Sequence, residues 1–548
     1  YPPTFPDGFD VEVFPVQTLQ KAHNAATDWQ DREHVTLFVK NHSDFKLATY
    51  KNDMDLSHYR LTLDNPEDYN VISQIFTSSR DPLVESLDGI LSIIHSDSAL
   101  LARVSGHKYN EGLTLNSGQK LWRRANNCIP GGNHLLSKKP EMFLPKLWPA
   151  YFSKAKGAHV WDLDNQKYLD MSLMGVGTNI LGYGNAQVDE VVVNTVAKGN
   201  LSTLNAPEEV FLAESLLLRN AWAEKVRFAR TGGEASAIAV RIARAASGKE
   251  GIAICGYHGW HDWYLATNLN GSENLAKHLL PGLPISGVPG SLEGTIYPFE
   301  YNDIEALRRI IDKEDIGVIM MEVQRNHAPL NGFLQKVRKL ASSKDIVLIF
   351  DECSSGFRET QCGLFEKYNV NPDIAIYGKT LGNGYAITAI VGKDSVMSCA
   401  TSSFISSTFW TERIGFTAGL KTLELFDEVK PWNYVTSMGN YLRAGWQKLA
   451  VDNGLSIEIT GIPAMSTLSF ASNYNLIFKT YVAQEMLKKN ILSANTVYLS
   501  TAHTIELVDQ YLECLEPIFK TLALADGESC ILEKLETDVC QSGFKRLN

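Results

Sequence analysis

The chain has 548 residues, of which 44% are hydrophobic and 21% are charged, and its formal net charge at pH 7 is -11. This composition is that of a folded globular protein with room for several domains. The negative charge leaves no basic surface for nucleic acid, and no apolar stretch is long enough to span a membrane. Eight cysteines without paired motif spacing indicate free thiols and a cytoplasmic location.

Three segments of the first 80 residues, at 7–14, 32–36 and 59–68, together resemble the C-terminal part of cytidylyltransferases, which activate sugars and polysaccharide precursors. The resemblance implies an N-terminal nucleotidyltransferase-like α/β fragment, in which the carboxylate of Asp64 would help to hold Mg²⁺. The alternative for Asp64 is a helix cap or a turn before Pro66. Because no glycine- and basic-rich nucleotide loop precedes these segments, the sequence is expected either to be part of a longer polypeptide or to carry the decayed remnant of a transferase.

A helical connector is predicted to follow this fragment. Five apolar residues recur there at helical spacing and form one stripe, namely Leu83, Leu87, Ile90, Leu91 and Ile94. We expect this stripe to pack between domains.

An anion site is predicted where a strand over residues 226–230 leads into an alanine-rich helix over residues 235–245. Thr231, Gly232 and Gly233 lie in the turn between them. Two glycines at a helix start let the backbone approach a phosphate closely and direct free N–H groups towards it. The alternative is a tight turn without a ligand.

Three further apolar runs read as strands of a parallel sheet buried on both faces, and each of them ends at a polar or aromatic residue. They end at Tyr257 with His258, at Asp351 and at Lys379. Ligands bind at the carboxyl ends of such strands. Asp351 could hold the pyridinium nitrogen of pyridoxal phosphate, and Lys379 could bind its aldehyde carbon. The alternative is an ordinary ion pair or two solvated side chains.

The order of these motifs resembles that of class III, fold-type I aminotransferases, and most of all glutamate-1-semialdehyde aminomutase and its relatives. The motifs are Gly-Gly-Glu-Ala at 232–235, Tyr-His-Gly at 257–259, Asp-Glu-x-x-x-Gly-Phe-Arg at 351–358 and Gly-Lys at 378–379. The resemblance covers residues 115–525. It implies an α/β fold with a large domain built on a mixed or parallel sheet and a small C-terminal α+β domain.

The domain boundaries follow from both resemblances. The predicted divisions are 1–80 for the cytidylyltransferase-like part, 81–105 for the connector, 106–155 for the N-terminal arm of the aminotransferase, 156–430 for the large cofactor-binding domain and 431–548 for the small domain.

The resemblance also implies roles for single residues. Lys379 would form the Schiff base with pyridoxal phosphate and then move the proton, while Asp351 would keep the ring nitrogen protonated. The other residues expected at the cofactor are Thr231, Gly232 and Gly233 at the phosphate, Tyr257 on the ring face, His258, and Glu322 as a support residue. Thr408 matches a threonine that reaches the cofactor phosphate of the neighbouring subunit. A homodimer with shared active sites is therefore expected.

Two departures from the family pattern bear on the substrate. Residues 410–413 replace a stretch of small residues, and the segment at Asn133 and His134 lacks an evident arginine for a substrate carboxylate. We therefore expect a substrate other than a glutamate derivative.

Three functions stay open at this point. The first is amino-group transfer between a small-molecule donor and a carbonyl acceptor, as a transaminase making a building block for surface polysaccharide or as an aminomutase. The second is a bifunctional cytidylyltransferase–aminotransferase in the full-length protein. The third is a non-catalytic scaffold, which the presence of both Lys379 and Asp351 disfavours.

Overall fold

The structure is a computed structural model that describes residues 4–9, 11–26, 36–63, 66–79, 81, 85–105, 116–271, 274–275, 283–524 and 528–542. The chain divides into two compact units, Tyr1–Leu121 and Trp122–Asn548. Asp64, the predicted magnesium ligand, lies outside the described residues.

The first unit is helical in its described part. Its helices are Val16–Ala25, Leu37–Asn41, Pro66–Ser78, Leu87–Ser96 and Ser98–Val104, and helix Ser117–Cys128 begins in it. Leu91 and Ile94 of the predicted stripe are buried in its small core. Among its described residues, β pairing is limited to the isolated bridges Asp7–Arg60 and Tyr59–Ser105. The structure therefore gives no support to the expected nucleotidyltransferase-like α/β fragment.

The second unit contains three sheets. Its strands are β1 (Phe152–Lys156), β2 (His159–Asp162), β3 (Lys167–Met171), β4 (Lys225–Ala229), β5 (Gly251–Cys255), β6 (Ile296–Pro298), β7 (Ile316–Glu322), β8 (Val347–Glu352), β9 (Ile374–Tyr377), β10 (Thr388–Gly392), β11 (Ile457–Ile462), β12 (Met465–Phe470), β13 (Ile491–Ser493) and β14 (Thr496–Tyr498). Its α-helices are Met174–Gly177, Ala186–Lys198, Pro207–Arg219, Gly232–Ser247, Asp262–Leu265, Ile304–Lys313, Phe333–Ser343, Asp394–Met397, Arg413–Val429, Pro431–Asn453, Asn475–Leu487, Ile505–Ala523 and Glu528–Leu532.

The large sheet has seven strands in the order β4-β10-β9-β8-β7-β5-β6. Strand β10 runs antiparallel to both of its neighbours, whereas β9, β8, β7, β5 and β6 pair in parallel. The sheet is therefore mixed, and the carboxyl ends of its parallel strands meet at one edge. The predicted strands before Tyr257, Asp351 and Lys379 are β5, β8 and β9.

Both faces of this sheet are buried, as the unbroken apolar runs predict. Ile349 of β8 belongs to a core that includes residues of helix Gly232–Ser247. Its neighbours Leu348 and Phe350 belong to the core on the opposite face, with residues of helix Phe333–Ser343. Because alternate side chains of a strand point to opposite faces, one run such as 347–350 supplies both cores.

The two smaller sheets connect distant parts of the unit. Strands β1, β2 and β3 form an antiparallel meander, and β13 pairs in parallel with β3. Strands β11, β12 and β14 form a second antiparallel sheet. The residues predicted to start the large domain and a strand of the predicted small domain therefore share one sheet.

Three further observations concern the described part of the chain as a whole. No helix in it has the length and apolar character needed to cross a membrane. In the same residues, no three histidine, cysteine, aspartate or glutamate side chains are grouped so that they could hold a metal ion. All eight cysteines are free thiols.

Candidate active site

Lys379 follows β9 directly after Gly378 and starts a 3₁₀ turn that runs from Lys379 to Gly382. Its φ is +39°, a backbone conformation that side-chain-bearing residues adopt only where the surroundings impose it. The Nζ atom donates a hydrogen bond to Ser354 Oγ at 2.6 Å. Burial lowers the pKa of Lys379. A lysine that loses its proton easily is suited to act as a nucleophile and as a base.

Asp351 lies near the end of β8, the strand that pairs with β9. Its carboxylate is buried and makes two hydrogen bonds. Oδ2 lies 2.9 Å from His258 Nδ1, and Oδ1 accepts a hydrogen bond from the Cys353 backbone N–H at 3.0 Å. Each carboxylate oxygen can accept a second hydrogen bond, so Asp351 is held in one orientation and can still accept a ring N–H.

Glu352, the next residue, has a different environment. Burial raises the pKa of this carboxyl group to about 8. Its Oε1 accepts a hydrogen bond from the Phe365 backbone N–H at 3.1 Å, and Ser355 Oγ donates to Oε2. Glu352 therefore holds the turn after β8 to a neighbouring segment, and Asp351 is the carboxylate of the pair that is placed for a ligand.

The predicted anion site lies at the start of helix Gly232–Ser247, where Thr231 is the N-cap. The Glu234 backbone N–H donates to Thr231 Oγ1 at 3.3 Å, and the Thr231 backbone N–H donates to Glu234 Oε2 at 2.9 Å. This capping box occupies the threonine hydroxyl. The backbone N–H groups of Gly232 and Gly233 lie in the first turn, where helical geometry gives them no intrahelical acceptor.

Cys353 packs between the anion site and the lysine. A Cβ atom added to Gly232 would lie 3.3 Å from Cys353 Sγ, and one added to Gly378 would lie 3.1 Å from the same sulfur. The start of helix Gly232–Ser247 and the residue before Lys379 are therefore both in contact with one side chain. This contact brings the predicted phosphate turn, Asp351 and Lys379 to a common site.

Tyr257 and His258 follow β5 in the same region. The Tyr257 ring is partly exposed and packs edge-on against Tyr264, with ring centroids 6.0 Å apart. The side chain of His258 is fully buried beside Asp351. In the same loop, a Cβ atom on Gly259 would lie 2.8 Å from the Gly233 Cα, so only glycine lets this loop approach the helix start.

Glu322 ends β7 and fixes two neighbours. Its Oε2 accepts a hydrogen bond from the Tyr257 backbone N–H at 3.1 Å, and its Oε1 accepts one from Arg325 Nη1 at 3.1 Å. This geometry suits the support role that the sequence suggests. Arg325 was not among the predicted site residues, and neither was Ser354, the acceptor for Lys379.

Thr408 differs from the other predicted site residues. Within one chain, no described contact connects it to them. It is exposed and starts the 3₁₀ turn Thr408–Thr411, and its carbonyl oxygen accepts a hydrogen bond from Thr411 Oγ1 at 2.8 Å. The exposed rings of Phe404 and Phe409 lie close to it in the sequence.

The residues present fit pyridoxal phosphate, because they provide a different group for each part of that molecule. Lys379 offers an amine for the aldehyde, Asp351 a carboxylate for the ring nitrogen, and Tyr257 an aromatic ring for the face of the pyridine. Gly232 and Gly233 offer backbone N–H groups for the phosphate. The lysine amine, the carboxylate at the ring nitrogen and the backbone N–H groups at a helix start are common protein ligands of this cofactor or of phosphate.

Comparison with known proteins gives a consistent result. The sequence model of the family described as Aminotransferase class-III matches residues 145–521. The 3-aminobutyryl-CoA aminotransferase of Cloacimonas acidaminovorans (strain Evry) is 31% identical over 72% of this chain and 95% of its own length. The glutamate-1-semialdehyde 2,1-aminomutase of Methanothermobacter thermautotrophicus is 31% identical over 74% of this chain and 99% of its own length.

Solved structures share the fold. The FumI protein of Sphingopyxis sp. MTA144, determined in its PLP internal aldimine form, superposes with a TM-score of 0.68 at 25% identity. That match covers 78% of this chain and 99% of FumI. A glutamate-1-semialdehyde-aminomutase from Pseudomonas aeruginosa PAO1 has a TM-score of 0.63 at 17% identity, over 73% of this chain and 93% of its own.

Proposed function

Because the chain belongs to the class III aminotransferase family, whose cofactor is pyridoxal phosphate, we propose that it acts as a transaminase between a small-molecule amino donor and a carbonyl acceptor. The observation that carries this proposal is the pairing of β8 with β9, which delivers Asp351 and Lys379 to one edge of the sheet. The bound cofactor would act as an electron sink for the substrate carbon.

The chain's own groups would perform the remaining tasks. Asp351, fixed by His258, would hold the ring nitrogen. Lys379 would bind the cofactor and then, as a neutral amine, move a proton at the substrate carbon, since burial lowers its pKa. Ser354 Oγ, 2.6 Å from Nζ, would keep this amine in position.

A transaminase and an aminomutase are distinguished by the fate of the substrate nitrogen. With a ¹⁵N-labelled donor and an unlabelled carbonyl acceptor, a transaminase delivers the label to the acceptor. An aminomutase isomerises one amino compound without an acceptor. Efficient turnover of glutamate-1-semialdehyde, combined with no turnover of sugar-like or triose-like carbonyl compounds, would contradict the transaminase proposal.

We further propose a homodimer in which Thr408 completes the partner's site. Its exposure and the nearby exposed rings of Phe404 and Phe409 support this proposal. Mixing inactive Lys379→Ala subunits with Thr408→Val subunits tests it. Hybrid dimers would contain one intact site and regain activity, whereas independent monomers would show only the sum of the two variants.

A role in making amino building blocks for surface polysaccharide is also part of the proposal. It is supported by the resemblance of residues 1–80 to cytidylyltransferases, which would make the full-length protein bifunctional and would place Mg²⁺ at Asp64. Transfer of the cytidylyl group from CTP to a sugar acceptor by the full-length protein, measured as pyrophosphate release in the presence of Mg²⁺ and that sugar, tests this part. The cytoplasmic location stays a prediction, supported by the eight free cysteines.

A further inference from the structure

A cavity of about 250 Å³ lies beside the site, where β5 and β7 end. About half of its lining surface is polar. The lining residues include Gly256, Glu300, Tyr301, Glu322, Arg325 and Asn326. Tyr257, the predicted ring-stacking residue, follows Gly256 directly and donates its backbone N–H to Glu322. The cavity therefore adjoins the start of the loop that carries Tyr257.

Arg325 is the one arginine or lysine among the described lining residues of this cavity. The protein occupies only part of its hydrogen-bonding capacity. A single N–H group, on Nη1, donates to Glu322, and about a third of the side chain is exposed. The Arg413–Glu208 pair is different, because two guanidinium nitrogens bond to two carboxylate oxygens at 2.9 and 2.7 Å. Within the described residues, the remaining donors of Arg325 are left for a ligand in the cavity.

Glu322 keeps Arg325 charged and in place. Its negative charge raises the pKa of Arg325, so the guanidinium is a permanent cation. Both oxygens of Glu322 are occupied, one by Tyr257 and one by Arg325. Gly256 makes room for this carboxylate, since a Cβ atom there would lie 2.6 Å from Glu322 Oε2.

The charge of Arg325 also acts on the reactive lysine. The pKa of Lys379 is lowered by burial first and by the positive charge of Arg325 in addition. Glu322, which binds Arg325, is the register partner of Asp351 across β7 and β8, so Arg325 is held at the same edge of the sheet as Asp351 and Lys379.

We propose that Arg325 binds a carboxylate of the amino donor or acceptor, so that the enzyme prefers substrates bearing a carboxylate over uncharged amines of the same length. This inference rests on the proposed transaminase function and assigns its substrate class. A guanidinium matches the planar, two-oxygen geometry of a carboxylate. Arg325 is the one arginine or lysine in the described lining and is partly compensated by Glu322, which favours a singly charged carboxylate over a phosphate dianion. Glu300 is exposed, so solvent screens its charge.

The test compares matched amines in single-turnover half-reactions of the enzyme loaded with pyridoxal phosphate. Absorbance of the bound cofactor is followed with β-alanine against n-propylamine and with 4-aminobutyrate against n-butylamine. We expect the wild type to prefer the carboxylated member of a pair. Arg325→Leu should lower the second-order rate constant of the half-reaction for that member on the order of 10- to 100-fold, because a hydrogen bond to a charged group is lost. The uncharged amines should lose much less, because any effect that passes through Lys379 or Glu322 is common to both substrate classes, and Arg325→Lys should restore part of the preference.

A matched control is Arg309→Leu, which removes an arginine whose side chain is 72% exposed on helix Ile304–Lys313. It should leave both substrate classes unaffected. Equal losses for carboxylated and uncharged amines in Arg325→Leu would overturn the proposal. So would a wild type without preference, or one that prefers O-phosphoethanolamine to β-alanine.

Calorimetric titration separates this proposal from the proposed function. Propionate and glutarate should bind the loaded wild-type enzyme more tightly than propionamide, and Arg325→Leu should remove the difference. If no amine changes the cofactor absorbance but carboxylate binding still depends on Arg325, the transaminase proposal fails and the anion site stands. If amines react but carboxylates bind no better than propionamide, the anion site fails and the transaminase proposal stands.

Discussion

Replacing Glu352 with glutamine should remove a pH dependence from the stability of the protein. In the folded chain, burial raises the pKa of Glu352 to about 8, against an ordinary value of 4.5. Between these two values, the folded protein keeps a proton that the unfolded chain releases. The stabilisation from this group is therefore fully present below about pH 4.5 and is lost as the pH rises through about 8.

The size of the effect follows from the two pKa values. The free energy of unfolding falls by about 1.4 kcal/mol for each pH unit in which the group is protonated only in the folded state. With a folded-state pKa of about 8, the loss between about pH 6 and about pH 7.5 amounts to about 2 kcal/mol. Glutamine imitates the protonated acid and does not titrate, so the variant should gain this amount relative to the wild type.

Parallel urea unfolding of the two proteins measures this difference, because all other titrating groups cancel. The free energy of unfolding of Glu352→Gln minus that of the wild type should increase steadily from about pH 6 to about pH 7.5. A difference that does not change with pH would refute the assignment of Glu352 as a neutral, buried acid.

Three further outcomes are expected at the site. Asp351→Asn should lower the half-reaction rate on the order of 10²-fold or more, because a buried charged partner is lost, and a rate within threefold of the wild type would contradict its role. Gly259→Ala should weaken binding of pyridoxal phosphate, measured by equilibrium dialysis, because its Cβ would meet the Gly233 Cα at 2.8 Å. Gly248→Ala is the control, because Gly248 also has a positive φ (+67°, against +106° at Gly259) and its Cβ would meet no atom within 4 Å, and this variant should bind normally. Tyr257→Ala should weaken binding more than Tyr257→Phe, since the ring face makes the contact, and equal losses would contradict stacking.

The main sheet could be predicted from sequence because its strands are short, wholly apolar and buried on both faces. Residues 347–350 and 374–378 indicated β8 and β9, and the residues that end these strands indicated the site. The Gly-Gly turn before an alanine-rich helix indicated helix Gly232–Ser247. In each of these segments, the local pattern and the tertiary environment require the same residues.

Arg325 and Ser354 could not be predicted in this way. Their roles depend on where a side chain points after a turn, and neither residue type nor spacing marks such a direction. The pairing of β13 with the sheet of β1, β2 and β3 could not be predicted either. Pairing between residues far apart in the chain leaves no local sequence pattern. In the first 80 residues, the sequence resemblance gained no support from the described structure.

The most direct measurement of the central claim is reduction of the loaded protein with borohydride, followed by peptide mapping. The account predicts one pyridoxyl adduct, on Lys379, and loss of both the adduct and the cofactor absorbance band in Lys379→Ala. An adduct on another lysine, or none in a protein that has been incubated with pyridoxal phosphate, would contradict it.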